Sequence, residues 1–252
     1  MRELDSGADS SPGDAGPSGP LRPVRAGMRL HYQVAGALAV GRDAQLVVVD
    51  LFDTESSQVA ELHAAGRVVV AYLSAGTREG WRPDVGALPG AVVGMELVSY
   101  PDEEWLDIRS APVRSLMRAR LELARDKGFD GVFPGSLGAY RSSTGFPLTA
   151  SDQQNYDLFL AAQARALGLS AGLSGDFDLL AELIDAYDWA IAFGCLAANS
   201  CARLQPFIDR GKAVFDIETQ GTLTDVCAEA RGSDIVTLLK RPSYDAWSQP
   251  CS

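Results

Sequence analysis

Nearly continuous apolar runs alternate with helical segments from residue 28 onward, and this alternation restricts the chain to a parallel α/β architecture. Leu46 to Phe52 is broken only by Asp50, and Val68 to Leu73 reads VVVAYL. Strands in a parallel sheet are covered by helices on both faces and so carry little polar alternation. Between these runs, Thr54 to Ala65 has helical spacing at Val59 and Leu62, with Gly66 at its C-terminal stop. The unit recurs. Ser110 reads as an N-cap with Pro112 in the first turn, and the helix runs to about Lys127 before Gly128. Ser151 with Gln154 reads as a capping box for a helix ending near Gly168.

Further strand candidates are Leu30 to Val34, Trp105 to Arg109, Gly131 to Ser136 and Ser170 to Asp176, followed by Asp188 to Phe193, Ala213 to Glu218 and Asp234 to Leu239. That makes nine, one more than a closed (β/α)8 barrel holds, so one is expected to lie outside it. Regular alternation with right-handed crossovers fits either a closed barrel or an open doubly wound sheet. No Gly-x-Gly-x-x-Gly follows the first strand, which removes the simplest dinucleotide-binding version of the open sheet.

The formal net charge of -11 excludes a phosphate-binding surface and with it nucleic acid as a partner. No apolar run approaches the roughly 20 residues that span a bilayer, so no membrane partner is expected either. Met1 to Pro23 is rich in Gly, Pro, Ser and Asp and has too little apolar surface to offset its ordering entropy. Residues 1–25 are therefore expected to form a disordered leader and residues 26–252 one barrel domain. The leader lacks the apolar centre of a signal peptide, which points to an intracellular chain. Cys195, Cys201, Cys227 and Cys251 point the other way: spaced as two pairs, they read as disulfides of an oxidising compartment or as buried thiols. No Cys-x-x-Cys occurs and the only histidines are His31 and His63, so no metal or cofactor is expected.

Several runs, in order and covering nearly everything after the leader, carry a resemblance. They are DLFDT at Asp50 to Thr54, YLSAGTREGWRPD at Tyr72 to Asp84, WLDIRS at Trp105 to Ser110, KGFDGVFP at Lys127 to Pro134, GFPLTASDQ at Gly145 to Gln153 and KRPSYDAWSQPC at Lys240 to Cys251. Together the chain resembles the endo-α-1,4-polygalactosaminidase family of glycosidases. The resemblance implies a (β/α)8 TIM-type barrel and, the family being mostly secreted, disulfides between the paired cysteines.

The departures from the family pattern fall where the chemistry belongs. After the Gly-Val of the strand at Gly131, the family carries an acidic residue, Pro, Asp and Asn; this chain has Phe133, Pro134, Gly135 and Ser136. One proposed catalytic carboxylate therefore falls on Gly135. The family's Asn-Glu-Gln-Cys becomes Ala192, Phe193, Gly194, Cys195, which puts the second on Phe193. A Leu-Lys-Asn-Asp run becomes Leu173, Ser174, Gly175, Asp176, and a Trp-x-Trp-Gln pattern becomes Leu30, His31, Tyr32, Gln33. Glycoside hydrolysis needs one carboxyl group to protonate the leaving oxygen and another as nucleophile or base. Glycine and phenylalanine supply neither, so no hydrolysis of galactosaminan is expected.

Active sites of such barrels lie at the C-terminal ends of the strands. There the chain retains Asp50, Tyr72, Ser74, Arg78, Trp81, Tyr140, Asp176, Asp216 and Glu218, beside the apolar Phe133, Leu137 and Phe193. Asp216 and Glu218 alternate with Ile217 and are expected to face the barrel interior. This pattern reads as a barrel repurposed to bind a largely apolar small molecule, with cyclisation, isomerisation or elimination as the chemistry open to Glu218, Asp216 and Asp50 as acid or base. The rival readings are a non-catalytic binder of galactosamine-containing polysaccharide and a pseudoenzyme acting through its surface. No Gly-x-Ser-x-Gly elbow is present.

Overall fold

The computed structural model describes residues 22–98 and 100–251, so most of the expected leader lies outside the described residues. The strands are β1 (Leu30–Gln33), β2 (Leu46–Asp50), β3 (Val68–Ser74), β4 (Thr77–Glu79), β5 (Val93–Leu97), β6 (Tyr100–Leu106), β7 (Gly131–Gly135), β8 (Ser170–Ser174), β9 (Trp189–Phe193), β10 (Ala213–Glu218), β11 (Val236–Lys240) and β12 (Ser248–Pro250). The helices are α1 (Ser56–Ala64), α2 (Ala111–Asp126), α3 (Ala150–Ala166), α4 (Leu180–Leu183), α5 (Gln205–Asp209) and α6 (Leu223–Ala230).

One sheet runs β1-β2-β3-β7-β8-β9-β10-β11-β12, and only β12 is antiparallel to its neighbour, which leaves eight parallel staves of a TIM-type barrel. The sheet curls until its ends meet: the Val34 amide donates to the Tyr244 carbonyl at 3.1 Å across the seam. The Cys227–Cys251 disulfide ties α6 to the segment just after β12, and Cys195–Cys201 closes a short loop after β9.

Period-two alternation along each buried strand divides the apolar side chains into two layers. Tyr32, Val70, Phe133, Trp189, Phe215 and Ile217 fill the barrel interior. Val49, Val69, Leu73, Met117, Leu121 and Leu160 pack between the sheet and the helices. Each such side chain stabilises the fold by about 1.5–3 kcal/mol when fully buried. Inside, Phe133 stacks on Trp189 with centroids 5.5 Å apart. Gly172 permits that packing, since a Cβ there would lie 2.3 Å from the Trp189 ring.

The extra strand candidate is resolved by this geometry. Trp105 to Arg109 is not a stave; its first residues end β6, in a separate antiparallel sheet of order β4-β6-β5. Asp102, Glu103 and Glu104 precede Trp105 on the same strand, and such an acidic run cannot be covered on both faces. A second correction concerns α3. Its N-cap is Thr149, whose hydroxyl accepts from the Asp152 amide at 3.1 Å while Asp152 accepts from Thr149 N–H at 2.9 Å, two residues before the Ser151–Gln154 pair expected from sequence.

Candidate functional site

The inward alternation of β1, β3, β7 and β9 delivers four rings to the mouth of the barrel, and the loop after β11 adds a fifth. Tyr32 is the hub. It meets Tyr72 and Phe133 edge-on, each at 6.3 Å, Phe193 at 5.7 Å and Tyr244 at 5.6 Å. Edge-to-face pairs of this kind add roughly 0.5–1.5 kcal/mol beyond burial. Phe193 is the ring presented to solvent, 41% exposed, whereas Phe133 is fully buried. Burial raises the pKa of the Tyr72 hydroxyl well above the usual tyrosine range.

Gly135 ends β7 directly beside Tyr72. A Cβ on Gly135 would sit 2.4 Å from Tyr72 Cε2 and 2.8 Å from its hydroxyl oxygen, so the ring fills the space in which a side chain at 135 would begin.

The three carboxylates expected to act as acid or base are engaged elsewhere. Asp216 and Glu218 do not face the interior; Phe215 and Ile217 do, and the two acids share the opposite face of β10 with Val214 of the helix-side layer. Asp216 Oδ1 accepts from the Cys195 amide at 3.1 Å. Glu218 Oε1 accepts from the amides of Leu196 at 2.8 Å and Ala197 at 3.2 Å. Both acids thus hold the backbone of the disulfide loop. Burial, opposed by the Cys195 amide and reinforced by Glu218, pushes Asp216 up to about 7. Asp50 does face inward, but its Oδ2 is clamped by Arg82 at 2.6 Å and its Oδ1 accepts from the amides of Phe52 and Asp53. Arg82 also binds Glu79 at 3.0 Å, and burial is the leading influence holding Asp50 above its ordinary pKa.

The remaining residues divide by location. Phe193 is a wall of two cavities: one of about 380 Å³ with Tyr244, Ile217, Ala197 and Glu218, the other of about 410 Å³ with Leu137, Phe177, Ser174 and Asp176. Ser74 is buried under the mouth, bonded to Thr77 at 2.5 Å. Tyr140 does not line the second cavity; its hydroxyl takes a bond at 2.9 Å from Arg141, which does. Arg78 and Trp81 are not in the mouth. They line a third cavity of about 600 Å³ over the three-stranded sheet with Glu96, Asp102 and Glu104, where Arg78 forks onto Glu104 at 2.8 and 2.9 Å and Trp81 is exposed.

Sequence reasoning missed Arg82, Tyr244 and Asp157. Asp157 had a signal: it shares the buried face of α3 with Gln153, Tyr156, Leu160 and Ala164, a carboxyl at helical spacing on a largely apolar stripe. Among the described residues, the one grouping with metal-ligand spacing is Cys195, Cys201 and Asp216, and its two sulfurs are joined to each other. Lys240 is buried at the end of β11 against the Asp245 carbonyl, and burial pushes it down to about 8.

Comparison with known proteins places these features. The family model described as glycoside-hydrolase family GH114 matches residues 12–252. Ega3 of Aspergillus fumigatus, solved in complex with galactosamine, is 33% identical; the match covers 91% of this chain and 97% of that one, with a TM-score of 0.87. The glycoside hydrolase domain of PelA from Pseudomonas aeruginosa shares the fold at 16% identity and a TM-score of 0.69, over 88% of this chain and 97% of that one. No curated protein sequence matches the chain.

Proposed function

We propose that this chain, which belongs to the glycoside-hydrolase family GH114, carries the barrel without glycosidase activity and binds a largely apolar small molecule at its mouth. The observation that carries the reading is the aromatic cluster around Tyr32, with Phe193 exposed at its rim and the Tyr72 ring packed into the space above Gly135. The two positions matched to the family's catalytic carboxylates are this glycine and this phenylalanine. Glu218, Asp216 and Asp50 do not replace them: Arg82 clamps Asp50, and Asp216 Oδ1 and Glu218 Oε1 hold the amides of the disulfide loop on the helix-side face of β10. Small-molecule sites are concave and combine apolar walls with placed polar groups, and the Phe193 cavities set Leu137, Phe177, Ile217 and Tyr244 beside such groups.

A thermal-shift titration tests the reading, with galactosamine oligosaccharides run beside apolar polycyclic compounds and a reducing-sugar assay on the former. A ligand at 100 times its dissociation constant adds about 2.7 kcal/mol, or roughly 5–10 °C for a chain of this size. The expected result is no sugar release, a shift with polycyclic compounds, and loss of that shift in Phe193→Ala. Hydrolysis, or a shift confined to the oligosaccharides, overturns it. The second outcome belongs to the rival reading, a non-catalytic amino-sugar binder, which the Trp81 cavity favours: an exposed indole shares it with Glu96 and Asp102, carboxylates that complement a cationic sugar, beside the Arg78–Glu104 pair.

A further inference from the structure

The cavity between Leu137, Phe177 and Phe193 has a feature that apolar binding leaves unexplained. At its floor lies Asp176, 1% exposed, at the end of the β8 loop with φ of 50°. Its Oδ1 is paired with Arg141 at 2.9 Å, but its Oδ2 finds no aligned hydrogen-bond donor, and the same holds for Asp157 Oδ2 on α3. The two carboxyls face each other. Two ionised groups cannot share such a place, so one proton must lie between them. It belongs on Asp157, the deeper of the two, whose Oδ1 already accepts from Gln153 at 2.8 Å and whose free Oδ2 then donates to Asp176.

The other groups around the pair leave this arrangement intact. Tyr156 and Tyr187 are buried beside it, but their hydroxyls donate to the carbonyls of Ala75 and Asp157. Arg141 reaches Asp176 Oδ1 with Nη2 at 2.9 Å, and the bare Cα of Gly138 leaves the room for that approach. Arg141 is shared with Asp178 at 3.2 Å and with Tyr140, while Asp178 is also held by Arg203 at 2.8 Å. Arg141, 41% exposed at its side chain, is the group of this set that lies between Asp176 and solvent. Asp176 is thus a charged acceptor covered by Arg141, in a cavity where Ser136, Ser174, Asp178 and Arg203 stand beside the apolar Leu137, Phe177 and Phe193.

We infer that Asp176, backed by Asp157, is a proton-accepting binding site for a neutral ring compound bearing a weakly acidic hydroxyl, a phenol or an enol, whose ring lies against Phe193. The hydroxyl takes the place of Arg141 Nη2, which keeps Asp178 and Tyr140, and donates to the carboxylate, one charge-assisted bond replacing another. A cavity of about 410 Å³ accommodates a two-ring compound. The inference rests on the apolar-ligand reading given above. Burial, resisted by Arg141 and Asp157, pushes Asp176 up to about 6, so the acceptor is present above that pH and lost below it.

The probes are 2-naphthol and its methyl ether, 2-methoxynaphthalene, titrated into the full chain by naphthalene fluorescence across the acid range. Naphthol should bind roughly tenfold more tightly than the ether. Its affinity should fall about tenfold one pH unit below the Asp176 midpoint, in proportion to the ionised fraction, while that of the ether stays flat. Asp176→Asn should erase the difference between the probes. Asp157→Asn, which keeps a neutral donor in place of the shared proton, should leave the midpoint of naphthol binding near about 6. Equal binding of both probes, or a flat pH profile for naphthol, overturns the inference while leaving apolar binding intact. Failure of both probes to bind overturns the two together.

Discussion

The Tyr72 ring occupies the first atom's worth of space that any side chain at position 135 would need, with Cε2 2.4 Å from where the Cβ of residue 135 would stand. The two positions are therefore coupled. Gly135→Asp alone should cost about 1–3 kcal/mol through overpacking, and adding Tyr72→Ala should return part of that loss. Urea denaturation of the two single variants and the double variant gives the coupling energy, expected at about 0.5–3 kcal/mol and favourable. Simple additivity would mean that the backbone, not Tyr72, excludes the aspartate.

Glu218 is expected to behave as a structural residue. Its Oε1 serves the amides of Leu196 and Ala197, and leaving buried amides without an acceptor costs about 1–3 kcal/mol each. Glu218→Ala should lower stability by about 2 kcal/mol or more, and Glu218→Gln, which keeps an acceptor oxygen, by clearly less. Ligand binding near Phe193 should survive in the glutamine variant. Equal melting points for all three proteins would contradict this account.

The two disulfides should contribute unequally. Cys227 and Cys251 are 24 residues apart and Cys195 and Cys201 only 6. Chain-entropy arguments assign about 3 kcal/mol to a loop of the longer kind and less to the shorter. Cys227→Ser with Cys251→Ser should therefore destabilise more than the corresponding pair at 195 and 201, as read from midpoints of chemical unfolding.

Asp216 makes stability depend on pH. Burial raises its folded pKa to about 7, above the unfolded carboxylate value, so the folded state holds a proton that the unfolded state releases. Its contribution is fully present below about pH 4 and is lost as the pH rises through about 7. Asp216→Asn should flatten this part of the decline in stability between mildly acidic and neutral solution, leaving the part due to Asp176, which is lost through about 6. An unchanged profile in the variant would place the titration elsewhere.

Much of the barrel was legible because two-sided burial writes itself into composition. The apolar runs at Leu46 and Val68 became β2 and β3, fully or nearly fully buried. Trp105 misled because Trp and Leu suit any strand, and only the acids before it tell an exposed antiparallel hairpin from a stave. Alternation also states parity without stating which parity faces inward. That is why Asp216 and Glu218 were assigned to the interior, when Phe215 and Ile217 hold it. The aromatic mouth was half legible. Phe133 and Phe193 stand out in sequence, whereas Tyr244 joins them only because the seam with β1 folds its loop over Tyr32. Arg82 and Asp157 escaped because their roles depend on partners far away in sequence, Asp50 for one and Asp176 for the other.

Phe193 is a partition common to both small cavities, lining one with Glu218 and Tyr244 and the other with Asp176 and Leu137. A ring that walls two rooms cannot make space in one without taking it from the next. Turning toward Tyr244 would enlarge the Asp176 side at the expense of the other, so two guests would exclude each other even though their polar contacts do not overlap. Saturation at a single ligand per chain, with competition between compounds that favour opposite sides, follows from that shared wall.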